Sequence, residues 1–148
     1  MVSHVLVAVD GSSHADRAVE FAAEFAVKYE ADLTILNVVS YASTVPLALG
    51  AYAELEGLYA ESRSVLQTAG ERIVESASES ARGLGVATLS TAVELGSPAQ
   101  TICETAKEIG ADVVVMGRRG LGDFSGLFLG SVTHKVAHTA DCTVITVK

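Results

Sequence analysis

The chain predicts a doubly wound α/β fold, a five-stranded, mostly parallel sheet with helices on both faces. Three observations carry that expectation. Apolar runs of strand length alternate with segments of helical period in the order β-α-β-α-β-α-β-α-β, which calls for a parallel sheet with right-handed crossovers. Val5-Leu-Val-Ala-Val9 and Val113-Val-Val-Met116 are continuously apolar, as strands buried on both faces are. Asp10, Val38 and Gly117 each fall at the carboxyl end of an expected strand, where sheets of this kind place ligands beside the reversal of strand order.

The elements follow in order. Val5–Val9 is the first strand, and Asp10-Gly-Ser-Ser13 ends it. Ser13 with Asp16 three residues on reads as a capping box, and Ala18, Ala22, Phe25 and Tyr29 continue at helical spacing. Asp32–Val38 is the second strand. Residues 40–60 are irregular, with Pro46, Gly50 and Gly57 among the apolar Val45, Leu47, Leu49, Tyr52, Leu55, Leu58 and Tyr59. They read as a flap packed on the domain or as a partner surface. A helix follows with Leu66, Ala69, Ile73, Ala77, Ala81 and Leu84 on one face, ended by Gly83 and Gly85. Val86–Leu95 is the third strand. Ser97-Pro98 opens a helix whose inner face is Ile102, Ala106 and Ile109 and which Gly110 closes. Ala111–Met116 is the fourth strand, Ser131–His138 a short helix and Thr143–Val147 the last strand. No boundary breaks the chain, so residues 1–148 read as one domain.

Composition excludes several classes. A net charge of −8 leaves no surplus of Lys and Arg to neutralise a nucleic-acid backbone. No apolar stretch reaches the roughly 20 residues of a membrane span, and the N-terminus lacks the basic and apolar segments of a secretory signal. A cytoplasmic protein with Cys103 and Cys142 as reduced thiols is the expectation.

The segment with most chemistry is Gly117-Arg-Arg-Gly120-Leu-Gly122-Asp-Phe-Ser-Gly126-Leu-Phe-Leu-Gly130-Ser131. A buried strand that empties into a glycine-rich loop and then a helix is suited to phosphate. Glycines let backbone N–H groups approach an anion, and the helix start adds donors and a positive dipole end. Arg118 and Arg119 bring positive charge, either toward phosphate or toward solvent. The loop is neither a Gly-x-x-x-x-Gly-Lys-Ser/Thr phosphate loop nor a dinucleotide fingerprint, since it follows the fourth strand. His134, His138 and Cys142 recur at four-residue spacing, but no fourth metal ligand is evident and an exposed helix end is the better reading. Ser12 and Ser13 lack a nucleophile elbow and read as caps.

Gly117-x2-Gly120-x9-Gly130-Ser131, the opening Val-Leu-Val-Ala-Val-Asp10-Gly-Ser and the closing Cys-Thr-Val-Ile-Thr-Val resemble the ATP-binding branch of the universal stress protein family over essentially the whole chain. The resemblance implies a Rossmann-like or flavodoxin-like fold of the adenine nucleotide alpha hydrolase type. It implies ATP, accompanied by Mg²⁺, as cofactor. Asp10 would lie beside the adenosine with Ala8 and Val9 behind it, and the backbone at Val38 would meet the adenine edge. Met116 and Gly117 would run along the nucleoside. Gly120, Gly130, Ser131 and Val132 would hold the phosphates, with Arg118 and Arg119 in variable positions of the motif. The family often carries Pro where this chain has Ala8. A homodimer through the apolar strand 143–147, and nucleotide-linked regulation under stress with an unknown protein partner, are further implications. No base for an attacking water is apparent, so ATP hydrolysis would be slow at most. A slow ATPase or nucleotidyl-transfer enzyme of the same fold and a nucleotide-free dimeric scaffold are the alternatives.

Overall fold

A computed structural model describes residues 1–40, 52–121 and 129–148, with side chains of residues 52–62 excepted. The elements are β1 (His4–Ala8), α1 (Ser13–Tyr29), β2 (Asp32–Val39), α2 (Tyr52–Gly83), β3 (Leu89–Leu95), α3 (Pro98–Glu108), β4 (Val113–Gly117), α4 (Ser131–Thr139) and β5 (Thr143–Val147). The five strands form one sheet in the order β3-β2-β1-β4-β5. Every pairing in it is parallel, with Val5 opposite both Leu33 and Val113. The doubly wound α/β fold is therefore as expected, and the strand order reverses between β1 and β4.

Alternation of side chains along the strands divides the core in two. Val5, Val7, Leu33, Ile35, Val113 and Val115 point to α1 and α2, whereas Leu6, Leu36, Val114 and Met116 point to α3 and α4. The inner face of α1 is Ala15, Ala18, Val19, Ala22, Ala23 and Ala26, all buried. Small side chains let this helix lie close to the sheet, which suits a chain rich in Ala and poor in aromatics. The helix ends on Glu30 in the left-handed conformation, with φ 53°.

Several boundaries differ from the sequence expectation. The first helix is capped by Ser12, not Ser13. Ser12 Oγ accepts the Ala15 N–H at 3.2 Å, and Ser13 is already helical. Helix α2 begins at Tyr52, inside the stretch expected to be irregular. Its buried stripe is Gly70, Val74, Ser78 and Ala81, flanked by Ile73 and Ala77, while Ala69 and Leu84 are exposed. The expected face was rotated because Gly70 and Ser78 carry no hydrophobic signal, yet they mark where the helix approaches the sheet. The third strand starts at Leu89, although Val86 is buried ahead of it. Residues 41–51, with Val45, Leu47 and Leu49, lie outside the described residues.

Candidate functional site

The loop after β1 and the loop after β4 meet beyond the carboxyl ends of the two central strands. Asp10 joins them. Its Oδ1 accepts the Ser12 N–H at 2.9 Å, closing the turn into α1. Its Oδ2 accepts the Leu121 N–H at 3.1 Å, reaching across to the glycine loop. Gly120 lies so close to this carboxylate that any Cβ there would collide with Asp10 Oδ2.

The glycine loop has a narrow neck. Arg118 donates its N–H to the Val147 carbonyl at 2.6 Å and accepts the Gly130 N–H on its own carbonyl at 2.9 Å. Thr133, buried on the first turn of α4, donates its hydroxyl to the Gly117 carbonyl at 3.0 Å. Together these bonds seat the start of α4 against the end of β4. Gly122, Asp123 and Gly126, which belong to the loop beyond the neck, lie outside the described residues.

The motif glycines are required for different reasons. A Cβ at Gly117 would stand 2.8 Å from the His14 carbonyl carbon, so this position is small because α1 packs on it. Gly120 is small because of Asp10. Gly130 is neither: with φ −61° and ψ 152° its backbone suits any residue. A Cβ there would meet Arg119 Cα at 3.4 Å and the Arg118 carbonyl at 3.6 Å, which is ordinary contact. As N-cap of α4 it supplies no side-chain hydrogen bond to the helix start. The first N–H groups of an α-helix have no intrahelical acceptor, so this end is open to an outside one.

The other sequence-predicted residues surround this point unequally. Ala8, Met116 and Val38 turn their side chains into the α3/α4 core, the first two buried and Val38 half-buried. Val9 is buried in the opposite core, its N–H given to Leu36 at 2.9 Å and its carbonyl taken by Asn37 Nδ2 at 2.8 Å. Arg118 and Arg119 are half-buried at the neck, Ser131 is exposed and Val132 is half-buried. Three contributors went unnoticed in the sequence. Asn37 is a buried amide holding the end of β1, Thr133 is the clasp on Gly117, and Leu121 contributes through its main chain. A polar residue at an otherwise apolar strand or helix position was the available signal for the first two.

A separate cleft of about 480 Å³ lies between α1 and α2, lined by Gly11, Asp16, Glu20, Arg72 and Ser76 among others. Of the predicted residues, Val9 alone borders it. Among the described residues no group of three or more His, Cys, Asp or Glu side chains could hold a metal ion, and no helix is long and apolar enough to cross a membrane.

Comparison with known proteins agrees with this architecture. The model of the universal stress protein family matches residues 1–148. The universal stress protein YxiE of Bacillus subtilis is 35% identical over 149 residues, with 100% of each chain covered. A universal stress protein solved in complex with cAMP superposes with a TM-score of 0.69 at 25% identity, covering 99% of this chain and 96% of that one. The universal stress protein of Archaeoglobus fulgidus in complex with dAMP gives a TM-score of 0.67 at 22% identity and 100% coverage of both chains. A Rossmann-like sheet with a glycine-rich loop at its switch point defines the class, and this chain belongs to the universal stress protein family.

Proposed function

We propose that this chain binds an adenine nucleotide, ATP with Mg²⁺, in the crevice between the ends of β1 and β4, and that occupancy regulates a stress response. The observation that carries the proposal is Gly130. The described fold gives no steric or conformational reason for glycine there, whereas an anion at the start of α4 gives one. The phosphates then lie against the N–H groups of Ser131 and Val132, with Gly120 and the Arg118–Arg119 neck beside them. The Asp10 carboxylate faces the ribose, and the main chain at Val38 and Met116–Gly117 borders the base. Two family members solved with cAMP and dAMP support an adenine nucleotide as the ligand class.

The functional unit in this reading is a cytoplasmic homodimer. Strand β5 is an edge of the sheet, with Val144, Ile145 and Val147 half-buried on its two faces. A second β5 would satisfy its open main-chain groups and remove an aggregation-prone edge. Regulation, not rapid turnover, fits a site whose carboxylate is engaged with main-chain N–H groups.

Calorimetric titration of nucleotide-stripped protein with Mg-ATP, cAMP, dAMP and Mg-GTP tests the reading. Saturable binding of adenine nucleotides with little response to GTP is expected. Absence of binding at millimolar nucleotide would overturn it and leave the scaffold alternative.

A further inference from the structure

The cleft of about 480 Å³ between α1 and α2 has two unlike walls. Asp16 and Glu20 line it from α1, one helical turn apart and therefore on one side of the helix. Arg72, Ser76 and Ser80 line it from α2 with the same four-residue step. The buried Val9 and Val19 and the half-buried Ile73 and Ala77 give it an apolar floor. Gly11 closes one end, where a Cβ would stand 3.3 Å from Ile73 Cδ1. Arg72, next to Ile73, is thus at the end of the cleft nearest β1. Both helices run away from that end, since each returns between parallel strands, and Asp16 and then Glu20 follow down the cleft. Among the described residues Arg72 forms an ion pair with neither carboxylate. Opposite charges that border one space without meeting leave room for a ligand between them.

From this arrangement we propose that the α1/α2 cleft is a second binding site, separate from the glycine loop, for a basic α-amino acid of the lysine or ornithine type. The guanidinium of Arg72 takes the ligand carboxylate, for which its planar fork is suited. The α-ammonium donates to Asp16. The methylene chain lies on the floor of Val19, Ile73 and Ala77, and the terminal ammonium donates to Glu20, one turn further along. The Ser76 and Ser80 hydroxyls, on the wall opposite the carboxylates, can accept from the ammonium groups or donate to the ligand carboxylate. The charge balance selects this class. Two carboxylates face one guanidinium, so a neutral zwitterion leaves a carboxylate unmatched and a plain diamine leaves Arg72 unmatched. A ligand with one carboxylate and two ammonium groups matches all three. Asp16, Glu20 and Arg72 are exposed, so each ion pair contributes little alone, and selectivity comes from meeting the three together. A cleft of this volume is within the range that takes small molecules.

The test follows main-chain amide NMR signals of the full-length protein, without nucleotide, during titration with L-lysine, L-norleucine and cadaverine. Norleucine keeps the carboxylate and α-ammonium but lacks the terminal one; cadaverine keeps both ammonium groups and lacks the carboxylate. Lysine should give saturable shifts at Asp16, Glu20, Arg72 and Ser76 and bind more tightly than either analogue by roughly fivefold, the upper end for one exposed ion pair. Glu20→Gln should weaken lysine by that factor and leave norleucine unchanged. Arg72→Gln should weaken lysine and not cadaverine. Both positions are exposed, and melting curves confirm that the variants are folded. No saturable shift at these residues with millimolar lysine would overturn the proposal. Equal affinity for lysine and cadaverine, or for lysine and norleucine, would overturn the assignment of the ligand class. Neither nucleotide nor the glycine loop enters this readout, so its outcome is separate from that of the function proposed above.

Discussion

The carboxylate of Asp10 accepts the main-chain N–H of Leu121 at 3.1 Å, tying the end of the first strand to a loop more than a hundred residues later. The same side chain closes the turn to Ser12 through its other oxygen. The group assigned to the ribose is thus also a latch on the glycine loop. In the proposed reading, a ribose hydroxyl that donates to Asp10 competes with the Leu121 N–H for the same carboxylate, so that occupancy acts directly on that loop.

Asp10→Asn separates these roles. Its Oδ1 can still accept the Ser12 N–H, but its Nδ2 cannot accept from Leu121. The cost in stability should stay near 1 kcal/mol, as for one hydrogen bond. Hydrogen exchange should nevertheless quicken at Leu121 and hardly change in β1 and β4. Unaltered exchange at Leu121 would show that the latch does not hold the loop.

Gly70→Ala opposes two effects. Alanine favours an α-helix over glycine by about 1 kcal/mol. Here, however, a Cβ would stand 2.7 Å from Asn37 Oδ1 and 2.8 Å from Val93 Cγ1. Overpacking of this kind costs about 1–3 kcal/mol and should win. Because Asn37 holds the Val9 carbonyl, the strain reaches the residue before Asp10. Chemical denaturation should show a lowered midpoint; a raised one would mean that α2 shifts freely on the sheet.

Asp112 sets a pH dependence. Its carboxylate accepts the N–H groups of Ser3 and His4 and the Ser3 hydroxyl, and the main-chain bond from Ser3 is the largest cause of a pKa below the ordinary 3.8. A carboxyl group more acidic folded than unfolded binds fewer protons when folded. Its contribution is therefore complete above the unfolded pKa and is lost as pH falls through the lower folded value. Asp112→Asn should flatten the fall in melting temperature over that acidic range and leave the slope near neutrality unchanged. An identical acid profile would contradict this.

Much of the architecture was legible because periodicity and end signals agreed. The buried runs of β1 and β4, the Ser97-Pro98 start of α3 and the Gly110 stop, with its φ of +64°, all fall where residue chemistry points. Helix α2 was misjudged at both its start and its face. Its sheet-facing line includes glycine and serine, and hydrophobic periodicity is blind to a helix that packs through the absence of a side chain. At the candidate site, the spacing of Gly117, Gly120 and Gly130 was readable, but their separate causes were not. His14 behind Gly117 and Asp10 behind Gly120 are contacts made across the fold. Asn37 and Thr133 look like ordinary polar residues until their acceptors, the Val9 and Gly117 carbonyls, are known.

The central claim is that the start of α4 is kept open for phosphate by Gly130. Gly130→Asp puts a good N-cap on the helix while placing a negative charge and a competing acceptor where phosphate would lie. The decisive measurement is Mg-ATP titration of this variant beside the original protein, with melting curves for both. The account predicts an unchanged or raised melting temperature and an affinity weaker by about 100-fold, or roughly 2.7 kcal/mol. Equal affinity in a fully folded variant would contradict it and move the phosphate site away from α4.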